Sequence, residues 1–257
     1  MLKDSLRKHT VGLNKEFRHR GEEPGRLENF SDAVFALAIT LLLISTSPPS
    51  NFDQIKRFVW EVIPFCLCIT AIILVWHEHF KFYFRYGIRN GGIIVLNTIF
   101  LIILLFYVYP LKFLAKLILL PIAIIIGHDK LIIELTEAYK GTNITYVMVI
   151  YGIGAMGVFL VLTLMYRFAL RNSELLELNE IEKFDTRASI RANFLMATVP
   201  FVSVLVAVLF RNYVNGAMCA GFCYWLYPIL MISFAKLTQK KRKKVLESAA
   251  ESSENAT

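Results

Sequence analysis

The chain has 257 residues, 56% of them hydrophobic and only 19% charged, with a mean hydropathy of +0.54. Soluble domains run at about 45–50% apolar and about 25% charged, and here the apolar excess is gathered in blocks of roughly 18–24 residues, the length a helix needs to cross a bilayer. An ordinary soluble domain is therefore excluded. The net charge of +8 lies between and outside those blocks, as topogenic charge does, so nucleic acid is not the expected partner.

In chain order the pattern predicts six membrane helices. The N-terminal segment 1–29 is polar and basic, and no short apolar stretch resembling a cleavable signal precedes the first span. The first span runs from about Phe30 to Ser45 and is closed by Pro48-Pro49. The second runs from about Phe58 to Phe80, and the third from about Gly92 to Tyr109, with Pro110 as its stop. Leu111–Gly127 is apolar, but it carries Lys112, Lys116 and Pro121. It is expected to extend the third helix or to lie at the interface. The fourth, fifth and sixth spans run from about Tyr146 to Tyr166, Ala192 to Phe210 and Val214 to Ala235. The tail from Glu247 is rich in Ser, Glu and Ala and is expected to be disordered. The chain thus divides into a basic segment 1–29, a six-span domain 30–238, and a basic and then disordered tail 239–257.

Charge supports this drawing. With the N-terminus inside, segments 1–29, 81–91, 167–191 and 236–257 hold 7, 3, 5 and 6 Lys and Arg, which is 21 of the chain's 28. The positive-inside rule then places both termini in the cytoplasm, in a multi-pass protein of the cell membrane. Cys66, Cys68, Cys219 and Cys223 lie inside apolar blocks without histidines at zinc-ligand spacing. They are expected to pack, and no metal site or cofactor is expected.

The first span carries the chemistry. Asp32 either caps the helix N-terminus with Ser31 or, lying at membrane depth, meets a partner on another helix. Arg26 and Asp32 are six residues apart and fall on different faces of a regular helix, so each is expected to reach a neighbouring helix. The end of the second span, Trp76-His77-Glu78-His79-Phe80, is level with the start of an antiparallel first span. His77 or His79 can therefore meet Ser31 or Asp32, although the same residues also suit an interfacial aromatic belt. With Leu37 at the origin of a helical wheel, Ala33 lies at about −40°, Thr40 at about −60°, Leu41 at about +40° and Ile44 at about −20°, with Asp32 on the far side. Such a stripe can line a pore, its aliphatic rings gating by dewetting and its Thr oxygens replacing water around an ion. It can equally face lipid or another helix, with Thr40 bonded back to its own turn.

Arg26-x-x-x-Phe30-Ser31-Asp32, continued by Ala33 to Leu42 without a gap, resembles the signature of the transmembrane protein 175 family of lysosomal and prokaryotic potassium channels. Trp76-His77-x-His79-x-x-Phe82 is similar to that family's second helix. The resemblance implies an all-α integral membrane protein with six transmembrane helices per chain, a pore-lining first helix and no selectivity-filter loop; the chain indeed contains no Thr-Val-Gly-Tyr-Gly sequence. One signature in a chain of this length implies the prokaryotic form, a homotetramer. It places the constriction at Leu37, further pore layers at Leu41 and Ile44, and the potassium-preferring layer at Thr40. Arg26, Phe30, Ser31 and Asp32 would belong to an inter-helix network with Trp76 and His77. Potassium is then the permeant ion, the bilayer and other copies of the chain are the partners, and nucleic acid is not one. The competing expectation is a proton- or cation-coupled secondary transporter with Asp32 and His77 as the relay. The inverted repeats and broken helices common in such folds are not evident. No catalytic triad or nucleotide loop marks the chain as an enzyme.

Overall fold

A computed structural model describes residues 16–44, 51–127, 132–133, 144–211 and 216–254. The regular elements of the described residues are all helices, without strands. The helices are α1 (Arg26–Ile44), α2 (Phe52–Tyr86), α3 (Gly91–Ile126), α4 (Ile144–Arg171), α5 (Glu180–Leu209), α6 (Gly216–Phe222) and, after a 3₁₀ turn over Cys223–Trp225, α7 (Leu226–Glu254). Six stretches among them are long and apolar enough to cross a bilayer: Arg26–Ile44, Glu61–Tyr86, Gly91–Val108, Thr145–Arg171, Glu180–Leu209 and Cys219–Glu247. The sixth span is thus made jointly by α6, the 3₁₀ turn and α7.

The span count agrees with the hydropathy pattern, and the helix ends do not. At 1.5 Å per residue, the 35 residues of α2 and the 36 of α3 each reach about 50 Å, well beyond a hydrocarbon core of ~30 Å. A helix keeps its own hydrogen bonds wherever it runs, so it can continue past the residues that hydropathy marks as a span. Pro110 does not stop α3, which runs on through Leu111 to Ile126. The segment after Pro110 therefore extends the third helix. Proline removes one backbone bond, and packed membrane helices tolerate the loss; Pro64 and Pro200 likewise lie inside α2 and α5. The two lysines in the extension are tolerated because they are paired. Lys112 and Lys116 both bind Glu61 of α2, the latter at 3.2 Å. At the C-terminus the backbone is helical to Glu254, past Glu247, where the composition suggested disorder; the Ala and Glu residues there are good helix formers. Residues 45–50, with Pro48-Pro49, lie outside the described residues, as do 1–15 and 255–257.

The basic segments that the charge count put on one side meet at one end of the bundle. An extended strap, residues 16–25, leads into α1 and crosses the ends of α2 and α5. Its backbone bonds to α2 through Arg20 N–H to the Arg85 carbonyl (3.3 Å) and Gly21 N–H to the Phe84 carbonyl (3.1 Å). Only glycine fits at position 21, where a Cβ would lie 2.1 Å from the Tyr83 carbonyl oxygen. Phe17 is buried with the Arg85 guanidinium 4.8 Å from its ring. Glu182 anchors both the strap and α5. Its carboxylate accepts from Asn179 N–H (3.1 Å) while Asn179 accepts from Glu182 N–H (2.8 Å), a closed capping box. The same carboxylate accepts from Arg18 N–H (2.8 Å) and from the Arg20 guanidinium (2.8 Å). Arg242 of α7 completes the end, donating to Asp185 of α5 and to Glu16 of the strap, each at 2.9 Å.

His19 gives this strap a pH dependence. Its ring lies against Phe84 at 4.5 Å, and its Nε2 is buried without a hydrogen-bond partner. Burial, followed by the charge of Arg85, holds its pKa below the ordinary 6.5. The folded strap thus prefers neutral His19, and stability is lost as pH falls below that ordinary value. The hydrogen-exchange protection of residues 16–25, taken relative to the intrinsic exchange rate at each pH, is expected to fall on acidification from pH 7, and His19→Gln is expected to flatten that fall. An unchanged response in the variant would assign the effect to other groups.

Candidate functional site on the first helix

α1 begins at Arg26, six residues before Asp32. Asp32 is therefore in the second turn and cannot cap the helix. The carboxylate serving the N-terminus is Glu28, which accepts from Gly25 N–H at 2.5 Å and pairs with Arg89 at 3.1 Å.

The helix has two contrasting faces. One packs inside the subunit through Ser31, Val34, Phe35, Ala38 and Leu42, all buried. This face carries a polar thread through the bundle. The Ser31 hydroxyl donates to its own Leu27 carbonyl (2.9 Å) and accepts from the Asn97 amide of α3 (2.9 Å). Asn97 in turn meets His79 of α2 at 2.7 Å. His79 is nearly fully buried and stacks on Phe100 at 5.0 Å, with Phe35 at 5.6 Å. Of the two histidines at the end of the second span, His79 and not His77 reaches Ser31, and it does so through Asn97. Asn97 was open to notice from sequence, because a lone amide in an otherwise apolar span costs energy unless it is paired.

Asp32 leaves α1 toward α2, where it accepts from Trp76 Nε1–H at 2.8 Å. The structure thus brings together Ser31, Asn97 and His79 in one group and Asp32 with Trp76 in another. Trp76→Phe keeps the ring on Phe80, 5.6 Å away, and removes only the donor. Bonds between membrane helices contribute about 0.6 kcal/mol on average and up to about 1.7 kcal/mol. The melting temperature of the purified protein is expected to fall by a few degrees, and an unchanged value would mean that this bond does not hold α1 to α2.

The other face of α1 is largely exposed among the described residues. Arg26, Phe30, Ala33, Ala36, Leu37, Thr40, Leu43 and Ile44 are all exposed, with Phe30 at 62%, Leu37 at 49% and Ile44 at 70%. Apolar side chains of other spans are exposed to a similar degree, as at Phe106 (81%) and Ile150 (66%). Leu41 lies half-buried at the edge. Arg26 and Phe30 continue this stripe toward the strap and stand apart from the Ser31–Asn97–His79 thread. Small residues, Ala33 and Ala36, alternate with bulky ones, a surface that lets helices of several chains approach closely. The Thr40 hydroxyl donates to the Ala36 carbonyl at 2.9 Å. Its proton is committed to the helix, and its oxygen is left on the exposed face as an acceptor. No cluster of three or more His, Cys, Asp or Glu capable of holding a metal ion occurs among the described residues.

Six bilayer-length helices with a paired polar interior define a polytopic α-helical membrane protein. A family profile described as endosomal/lysosomal potassium channel TMEM175 matches residues 26–107, which span α1, α2 and most of the bilayer part of α3. A potassium channel of Marivirga tractuosa is 42% identical over 239 residues, 92% of this chain and 96% of the relative. A potassium channel of Chamaesiphon minutus is 26% identical over 107 residues, 38% of this chain and 53% of that protein. Among solved structures, a variant of the potassium channel MtTMEM175, crystallised with a nanobody–MBP fusion, superposes with a TM-score of 0.74 at 42% identity, covering 90% of this chain and 100% of the other. The chain belongs to the TMEM175 family of potassium channels, in its prokaryotic form.

Proposed function

We propose that four copies of the chain form a potassium-selective channel of the cell membrane, with the first helices around a central axis and both termini in the cytoplasm. The observation that carries this reading is the uncovered stripe of α1. A helix whose outer face holds Ala33, Ala36, Leu37, Thr40 and Ile44, in a subunit with no second copy of that stripe, can enclose a pore only by rotational symmetry. On this reading Leu37 forms the narrowest, apolar ring, Leu41 and Ile44 add further layers, and Thr40 supplies a ring of oxygens. The oxygens face the axis as acceptors because the hydroxyl protons are bonded to Ala36 carbonyls, which suits a partly dehydrated cation. Arg26 and Phe30 fall where neighbouring subunits meet, and the Ser31 and Asp32 groups fix the angle of α1 against α2 and α3. Conduction is passive, with potassium as permeant, and requires no cofactor. Names and fold of the 42%-identical relatives support the same reading.

The test is current across planar bilayers holding the purified protein under a potassium gradient. Current that reverses near the potassium equilibrium potential agrees with the proposal. Transport that stops without a proton or sodium gradient would replace it with a coupled carrier.

A further inference from the structure

Between α5 and α7, at the end of the bundle that carries the strap, lies an open groove of about 210 Å³. Phe184, Ala188, Phe234 and Leu237 give it apolar walls, and Arg191 and Lys241 give it two cations. None of its lining residues is acidic. The groove sits where apolar sequence turns to charge. Arg191 immediately precedes the apolar part of α5, and Lys241 lies in the Lys240-Lys241-Arg242-Lys243-Lys244 run that follows the apolar part of α7. The next residue, Arg242, is turned about 100° away and is used by Asp185 and Glu16. Arg191 and Lys241 are exposed and take no part in the salt bridges of the described residues, so their charge is available to a ligand.

Two uncommitted cations beside an apolar trough, level with the membrane surface, match a molecule with an anionic head and a hydrocarbon tail. Cations near such a surface attract anionic lipid, and the trough adds what a bare basic patch lacks, a place for the chain next to the head. We propose that this groove binds one anionic phospholipid, with its phosphate between Arg191 and Lys241 and its acyl chain along Phe184, Phe234 and Leu237. A soluble anion would use the cations without the trough, and a zwitterionic lipid would use the trough without needing two cations. The proposal depends on the membrane-embedded fold and not on the pore, so it can fail or hold independently of conduction.

The experiment titrates the purified full-length protein in detergent with dioctanoyl phosphatidylglycerol, dioctanoyl phosphatidylcholine and inorganic phosphate, and counts bound molecules by native mass spectrometry. Phosphatidylglycerol is expected to bind more tightly than phosphatidylcholine, and phosphate is not expected to displace it at equal concentration. Loss of one surface cation costs about fivefold in affinity, so Arg191→Gln with Lys241→Gln should weaken phosphatidylglycerol by about 25-fold. Arg191→Lys with Lys241→Arg should keep the binding. Lys236→Gln with Lys243→Gln removes the same charge from the opposite side of α7 and should cost less than about fivefold. Leu237→Ser leaves both cations in place and should weaken the lipid through the trough alone. Equal losses in the two double glutamine variants would reduce the site to diffuse surface charge. Equal binding of the two lipids, an unchanged Leu237→Ser, or ready displacement by phosphate would also overturn the proposal.

Discussion

Leu37→Ala raises the single-channel conductance several-fold and leaves the subunit folded. The leucine side chain is about half exposed in the chain and contributes to the largely exposed face of α1. Truncating it removes no buried core contact, and substitutions at such surface positions usually change stability by within about 0.5 kcal/mol. On the proposed arrangement the same truncation, repeated in every subunit, removes the widest aliphatic side chain from the narrowest ring. An apolar constriction limits conduction by excluding water at small radius, so a small gain in radius admits a hydrated path. A control at Val34, which is buried about 60° around the helix from Leu37, separates pore geometry from general loosening. Val34→Ala should cost stability without raising conductance. Planar-bilayer recordings of the two variants check the pair. Equal conductance in Leu37→Ala and wild type would remove Leu37 from the pore.

Thr40→Ala reduces the potassium-over-sodium permeability ratio by about tenfold, the change that corresponds to ~1.4 kcal/mol in relative ion preference. The substitution removes the oxygen ring and the back-bond to Ala36 together. An exposed back-bond of this kind contributes little to the helix and can even bend it, so the structural cost is small and the effect falls on the ion. Thr40→Ser keeps the oxygen and the bond and should retain most of the ratio. Reversal potentials under mixed potassium and sodium provide the readout. A Thr40→Ala channel with unaltered selectivity would assign the preference to another layer, with Ile44 or Leu41 as the remaining candidates on the stripe.

How much of this was legible in the chain follows from which forces write themselves into sequence. The six spans are legible because the bilayer demands a long apolar run for each crossing. The outward stripe of α1 is legible because a 3.6-residue period fixes which side chains share a face, and Ala33, Leu37, Thr40 and Ile44 do share the exposed one. The wheel could not say whether that face meets lipid, another helix or an axis. Helix ends were poorly legible. α5 starts at Glu180, twelve residues before the apolar part of its span, because its cap is a local Asn179–Glu182 arrangement that hydropathy does not register. For the same reason hydropathy places Asp32 at the start of the first span, whereas the first turn of the helix belongs to Arg26 and Glu28.

The least legible feature was the strap. Composition marks segment 1–29 only as basic, yet Phe17, Arg20 and Gly21 are held by residues more than sixty positions away. Long-range pairing of Arg20 with Glu182, or of Arg242 with Asp185, leaves no periodic trace in a single sequence. Asn97 is intermediate. Its cost in an apolar span flags it, but only the fold shows that its partners are Ser31 and His79.

An electron-microscopic structure of the purified protein in lipid nanodiscs decides whether α1 lines a pore. A four-fold particle is expected, with α1 of each subunit innermost and Leu37 nearest the axis. A particle in which another helix lines the axis, or in which the Leu37 face of α1 meets lipid, would remove α1 from the pore.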